Sequence, residues 1–125
     1  MKRDWETIRE ILARVEDSCG NGRLLKTSDF PTDRIWEISY HIELLFDAGL
    51  ISANMHRPSD GGAPSFHVSR LTWDGHEFLD AIRSDTVWQK TKKSFVSGGI
   101  SMTFDLVKSV ASDVAAAILK SHLVG

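Results

Sequence analysis

Leu44-Leu45-Phe46-Asp47-Ala48-Gly49-Leu50-Ile51 is the stretch whose reading decides the fold. It ends an apolar run of helical spacing and opens, after one glycine, an aliphatic pair of strand character. Ile35, Ile38, Ile42, Leu45 and Phe46 form the stripe that predicts a helix from Thr32 or Asp33 to about Ala48. Gly49 stands where a helix C-terminus takes a left-handed residue. Trp36, Tyr40 and Leu44 make a second apolar edge, so this helix is expected to touch two neighbours.

Outward from it, Leu50 to Ala53 and Ser65 to Leu71 read as paired strands, with Phe66, Val68 and Arg70 expected on one face. The segment between them, Asn54 to Pro64, is a polar hairpin tip in which Gly61-Gly62 permits a tight reversal. Thr72 is an N-cap, and Glu77, Phe78, Ala81, Ile82 and Val87 predict one continuous helix running into Trp88 to Lys93. Gly98-Gly99 breaks the chain before a last helix from about Thr103 to His122. Toward the N-terminus, Trp5, Ile8, Ile11, Leu12 and Val15 predict a helix from Asp4 to Asp17, stopped by Gly20-Asn21-Gly22. Arg23 to Pro31 has room for a short edge strand and a turn, not for a full helix.

The expected fold class is therefore mainly α with a small β-hairpin, α+β: a winged-helix-like domain over residues 1–97. An additional C-terminal helix over 98–125 either packs on that domain or forms a dimer interface. A chain of 125 residues suffices for one core. Its 15 basic and 17 acidic side chains give a net charge of −2, which lacks the basic excess usual in nucleic-acid binders. One cysteine, Cys19, excludes an intramolecular disulfide. The N-terminus has no signal-peptide pattern and Val114 to Leu119 is too short to span a bilayer, so the expectation is a cytoplasmic protein without membrane contact.

The run LLFDAGLI (Leu44–Ile51) resembles the end of the recognition helix in many winged-helix regulators. RLTWDGHEFLDAIR (Arg70–Arg83) resembles the segment that leaves their second wing strand. The chain as a whole resembles a bacterial family, common in prophages, catalogued as a domain of unknown function. Met1 to Asp4, Tyr40 to Leu45, Leu71 to Trp88 and Ser101 to Lys108 carry that resemblance. It implies a fold and no activity.

By analogy of fold, the first expectation is a phage-related DNA-binding or transcription-regulatory module acting on double-stranded DNA. Arg34, Ser39 and His41 on the central helix, with His56 and Arg57 on the wing, are the candidate nucleic-acid contacts. Against this, Asp33, Glu37, Glu43 and Asp47 make the helix acidic, and phosphate contacts dominate DNA affinity. The alternative is a non-enzymatic protein–protein interaction module, with Trp36, Tyr40 and Leu44 as contacts to another protein. Val107, Val110, Val114 and Ile118 on the last helix would then meet a second copy of the chain. Lys90, Lys92 and Lys93 form the one local basic cluster and read as a solvated helix face. His76 is expected to bond locally, and the five histidines lack metal-site spacing, though His56 and His67 could approach across the hairpin. No nucleophile elbow, phosphate loop or paired catalytic carboxylate appears, so neither enzyme activity, cofactor, metal nor small-molecule substrate is expected.

Overall fold

A computed structural model describes residues 1–124. The chain divides into two compact units, Met1–His76 and Glu77–Gly125. The division falls inside a helix, and the sequence boundary at 97/98 lies within the second unit.

The first unit opens with α1, Trp5–Ser18. Asp4, in extended conformation, caps it by accepting the N–H groups of Glu6 and Thr7. Ile8, Ile11, Leu12 and Val15 are buried along one face. Gly20, Asn21 and Gly22 all take positive φ and turn the chain into β1, Leu25–Lys26. Two short 3₁₀ turns, Thr27–Asp29 and Thr32–Arg34, then stand where a helix-turn-helix has its first full helix. Thr27 fixes the first of them: its Oγ1 accepts the Phe66 N–H at 2.8 Å.

The central helix α2, Ile35–Asp47, buries Ile35, Ile38, Ile42 and Leu45. It ends in a Schellman arrangement around Gly49 (φ +76): the Leu50 N–H donates to Leu45 O at 2.9 Å and the Gly49 N–H to Phe46 O at 3.0 Å. β2 (Ile51–His56) and β3 (Ser65–Leu71) follow as an antiparallel hairpin, and β1 pairs with the other edge of β3, giving the order β1-β3-β2. In the loop between them Gly61 takes positive φ, and the Gly62 N–H donates to Asp60 Oδ1 at 2.9 Å. A bulge at Ser52/Ala53 shifts the register. Phe66 and Val68 are buried as expected, but the next inward residue is Leu71, and Arg70 is exposed. The extra residue of the bulge reverses the alternation.

Helix α3, Trp73–Ile82, starts against the α2–β2 junction. The Thr72 N–H donates to Leu50 O at 3.0 Å, the Thr72 hydroxyl donates to Gly49 O at 2.6 Å, and Thr72 Oγ1 accepts the Gly75 N–H at 3.1 Å. A Cβ on Gly75 would lie 2.0 Å from Leu50 O. The two motifs that carry the winged-helix resemblance are thus in direct contact.

The single helix expected from Thr72 to Lys93 is two helices. Ser84 adopts an extended conformation, and its side chain accepts the Val87 N–H at 3.3 Å, capping α4, Asp85–Gly98. In the second unit α4 buries Val87, Trp88, Thr91 and Phe95, and packs on α5, Phe104–Val124. Val107 and Ala111 of α5 are fully buried, and the Phe78 and Phe104 rings lie 4.5 Å apart. Element order and sheet topology make this a winged-helix-like α+β chain with an additional C-terminal helix.

Gly75→Ala forces a Cβ into a backbone carbonyl that no side-chain motion can clear. It is expected to destabilise the protein by about 3 kcal/mol or more in urea melts followed by circular dichroism. Thr72→Val, which removes the cap, is expected to cost about 1 kcal/mol.

Candidate functional site

In the winged-helix frame α2 occupies the recognition position, and its outward face with the wing base is the surface to assess. Arg34 stands at its N-terminal end, where the helix dipole disfavours a cation. Four carboxylate contacts hold it there, among them Nε to Glu37 Oε2 at 3.4 Å. Its guanidinium forks onto Glu10 of α1, Nη1 to Oε2 at 2.9 Å and Nη2 to Oε1 at 3.0 Å, and Nη2 also reaches Glu37 Oε1 at 2.8 Å. The Thr7 hydroxyl donates to the same Glu37 carboxylate at 3.0 Å. The bonds to Glu10 and Glu37 raise the Arg34 pKa further, and the Arg34 and Thr7 bonds hold the Glu37 carboxyl below its ordinary value. Arg34, the basic residue expected to meet DNA, thus bridges α1 and α2.

Ser39 and His41 are corrections to the expected nucleic-acid surface: both are buried, at 2% and 1% exposure. His41 Nε2 accepts the Asp4 N–H at 2.8 Å, so Nδ1 carries the proton and donates to Glu37 O at 2.8 Å. With both ring nitrogens committed, His41 ties the start of α1 to α2 and cannot reach a base edge. Its position gave the signal: Ile38 and Leu45 bracket it at helical spacing, as Ile35 and Ile42 bracket Ser39.

On the wing His56 and Arg57 are exposed, and Arg57 pairs with Glu43 of α2. His67 is bonded to the Asn54 side chain at 3.1 Å, and His56 pairs in register with Ser65. Cys19 donates its S–H to Val68 O at 3.3 Å, and burial pushes its thiol pKa up. His76 Nδ1 lies 3.8 Å from Glu16 Oε2. Among the described residues no group of three or more His, Cys, Asp or Glu could hold a metal ion.

What the outward face of α2 presents is aromatic. Trp36 is 55% exposed, Tyr40 and Leu44 are half-buried beside it, and Phe46 is 48% exposed. Trp36 and Tyr40 border a small pocket of about 120 Å³ completed by Met1, Glu43, Met55, Arg57 and Pro64. Ser39 also lines it, and its buried hydroxyl has no hydrogen-bond partner among the described residues. Met55 and Pro64 were missed in the sequence because hairpin pairing, not helical spacing, brings them to this face. Asp33 and Asp47 are exposed at the two ends of the helix. Of the expected interface residues on α5, Val110, Val114 and Ile118 are half-buried, whereas Val107 is fully buried and unavailable to a partner.

A family model described as "Hypothetical protein (DUF2513)" matches residues 2–101, from α1 through α4. The chain belongs to the DUF2513 family. It is 37% identical over 119 residues to a Haemophilus influenzae protein described as an uncharacterized protein, covering 95% of this chain and 99% of that one. The bacterial setting expected of this DUF2513 chain fits that relative, which also extends the likeness into α5. No solved structure matches the chain. No helix among the described residues is long and apolar enough to cross a membrane.

Because the Glu37 carboxyl lies below its ordinary value of about 4.3 when folded, it adds stability in full above that value. That contribution is lost as pH falls through the folded-state pKa. Unfolding free energy measured from neutral to acid pH is expected to drop over this window, and Glu37→Gln is expected to remove that part of the drop.

Proposed function

We propose that this DUF2513 chain is a non-enzymatic protein-interaction module that docks a polypeptide on the outward face of α2. The partner segment carries an apolar or aromatic side chain for the Trp36–Tyr40 pocket and basic groups for Asp33 and Asp47. The observation that carries this reading is the state of Arg34: its guanidinium is consumed by Glu10 and Glu37, while Trp36 beside it stays open to solvent. Exposed aromatics over a small pocket are the usual anchors of protein interfaces.

The winged-helix element order supports the competing reading, a DNA-binding regulator, through fold analogy. A phosphate backbone approaching α2 would meet Asp33 and Asp47, with Arg57 already paired to Glu43. Charge and exposed apolar surface therefore favour a protein partner.

A photoreactive residue in place of Tyr40, activated in the bacterial cell, discriminates the two. The expected adduct is protease-sensitive and nuclease-resistant, and weakens when Asp33 and Asp47 are both changed to Lys. A nuclease-sensitive adduct sinks the proposal. So does salt-dependent binding of the purified protein to mixed duplex DNA.

A further inference from the structure

In the second unit, Val110, Val114, Ala117 and Ser121 recur along α5 at alternating steps of four and three. That is the spacing of a helix–helix seam. It is only partly covered within the chain: Val110 and Val114 are half-buried, and Ala117 and Ser121 exposed, while Val107 before them is fully buried in the unit's own core. Beside the seam α4 and α5 leave a groove of about 690 Å³, with Lys90, Lys93 and Ser94 on one wall and Val114, Ala117 and Ile118 on the other. Small residues at Ser94, Ala117 and Ser121 let another helix come close.

The charges that flank the seam say which helix. Asp113 and Lys120 occupy the same flank seven residues apart, both exposed, and neither has a partner among the described residues. Seven residues are two turns, about 10.5 Å along the axis. If a second α5 lies antiparallel with Val114 against its Ala117, Asp113 falls opposite the Lys120 of the second copy, and the two-fold axis repeats the pair. A parallel partner would set Asp113 beside Ile118 of the second copy and leave both charges unmatched. Such self-complementarity is what an isologous interface requires.

We propose that this groove seats α5 of a second copy of the chain, antiparallel and in this register, so that two α4–α5 hairpins form a four-helix bundle. The seam is short and its flank is matched by opposite charges, so the association is weak to moderate and salt-sensitive. Leu119 and Leu123 lie off the seam and stay outside the contact. The proposal does not depend on the α2 surface.

Sedimentation of the full chain at low salt tests it. The wild type is expected to form dimers across a concentration series. Lys120→Asp, which sets two acidic pairs against each other, is expected to weaken dimerisation about tenfold with unchanged far-ultraviolet circular dichroism. Asp113→Lys added to Lys120→Asp is expected to restore it, since the swapped pairs again match. A monomer at every concentration overturns the proposal. So does a Lys120→Asp variant that dimerises like wild type, or a double variant that stays as weak as the single one.

Discussion

The carbonyl of Leu50 is the point on which the first unit turns. It accepts the Thr72 N–H and lies so close to Gly75 that no side chain fits there. The chain reaches this carbonyl twice, once leaving α2 through Gly49 and once leaving β3 through Leu71. The hairpin must therefore close on itself with Ile51 opposite Leu71, which fixes the register of β2 and β3 at its base. From there β1 pairs with the outer edge of β3. Thr27 then binds Phe66 and holds the reduced segment in front of α2. Two glycines, Gly49 and Gly75, and two threonines, Thr27 and Thr72, thus set the sheet order and the place of α2.

Most of these elements could be read from the sequence because their causes are local. An N-cap aspartate, a stripe at steps of three and four, and a glycine past the helix end are all contained in a few residues, and α1 and α2 lie close to where those signals put them. The break at Ser84 was missed although it left a trace. Five residues separate Ile82 from Val87, which turns an α-helix about 140° out of phase with its buried face. A serine at that slip is better placed to cap a new helix than to continue the old one. Arg70 failed for a different reason: a bulge is a property of two paired strands, and one strand cannot announce it.

The candidate site was harder to read because a polar side chain has two uses, and the sequence does not say which is taken. Ser39, His41 and Arg34 all looked like groups for a partner. His41 spends both ring nitrogens on backbone groups of Asp4 and Glu37, and Arg34 spends its fork on Glu10 and Glu37. Helical spacing marks Ser39 and His41 as inward, but the partners of His41 and Arg34 are not visible without α1 in place, since Asp4 caps it and Glu10 belongs to it. What remains outside is the residue set that the same geometry leaves over, chiefly Trp36, Tyr40 and Leu44.

Magnitudes then decide what that surface can do. Duplex binding draws its affinity from several phosphate contacts, each supplied by a cation free to release a counterion. Here both arginines of the α2 face already have carboxylate partners, Arg34 through a bidentate fork, so a phosphate would have to compete with a carboxylate for each. Covering an exposed tryptophan and a half-exposed tyrosine carries no such cost and contributes roughly 2 kcal/mol for each well-packed anchor. The surface energy available on α2 is therefore mainly apolar, with the carboxylates of Asp33 and Asp47 exposed at its two ends. That composition is what supports the proposed polypeptide partner, in a frame that has the order of a winged helix.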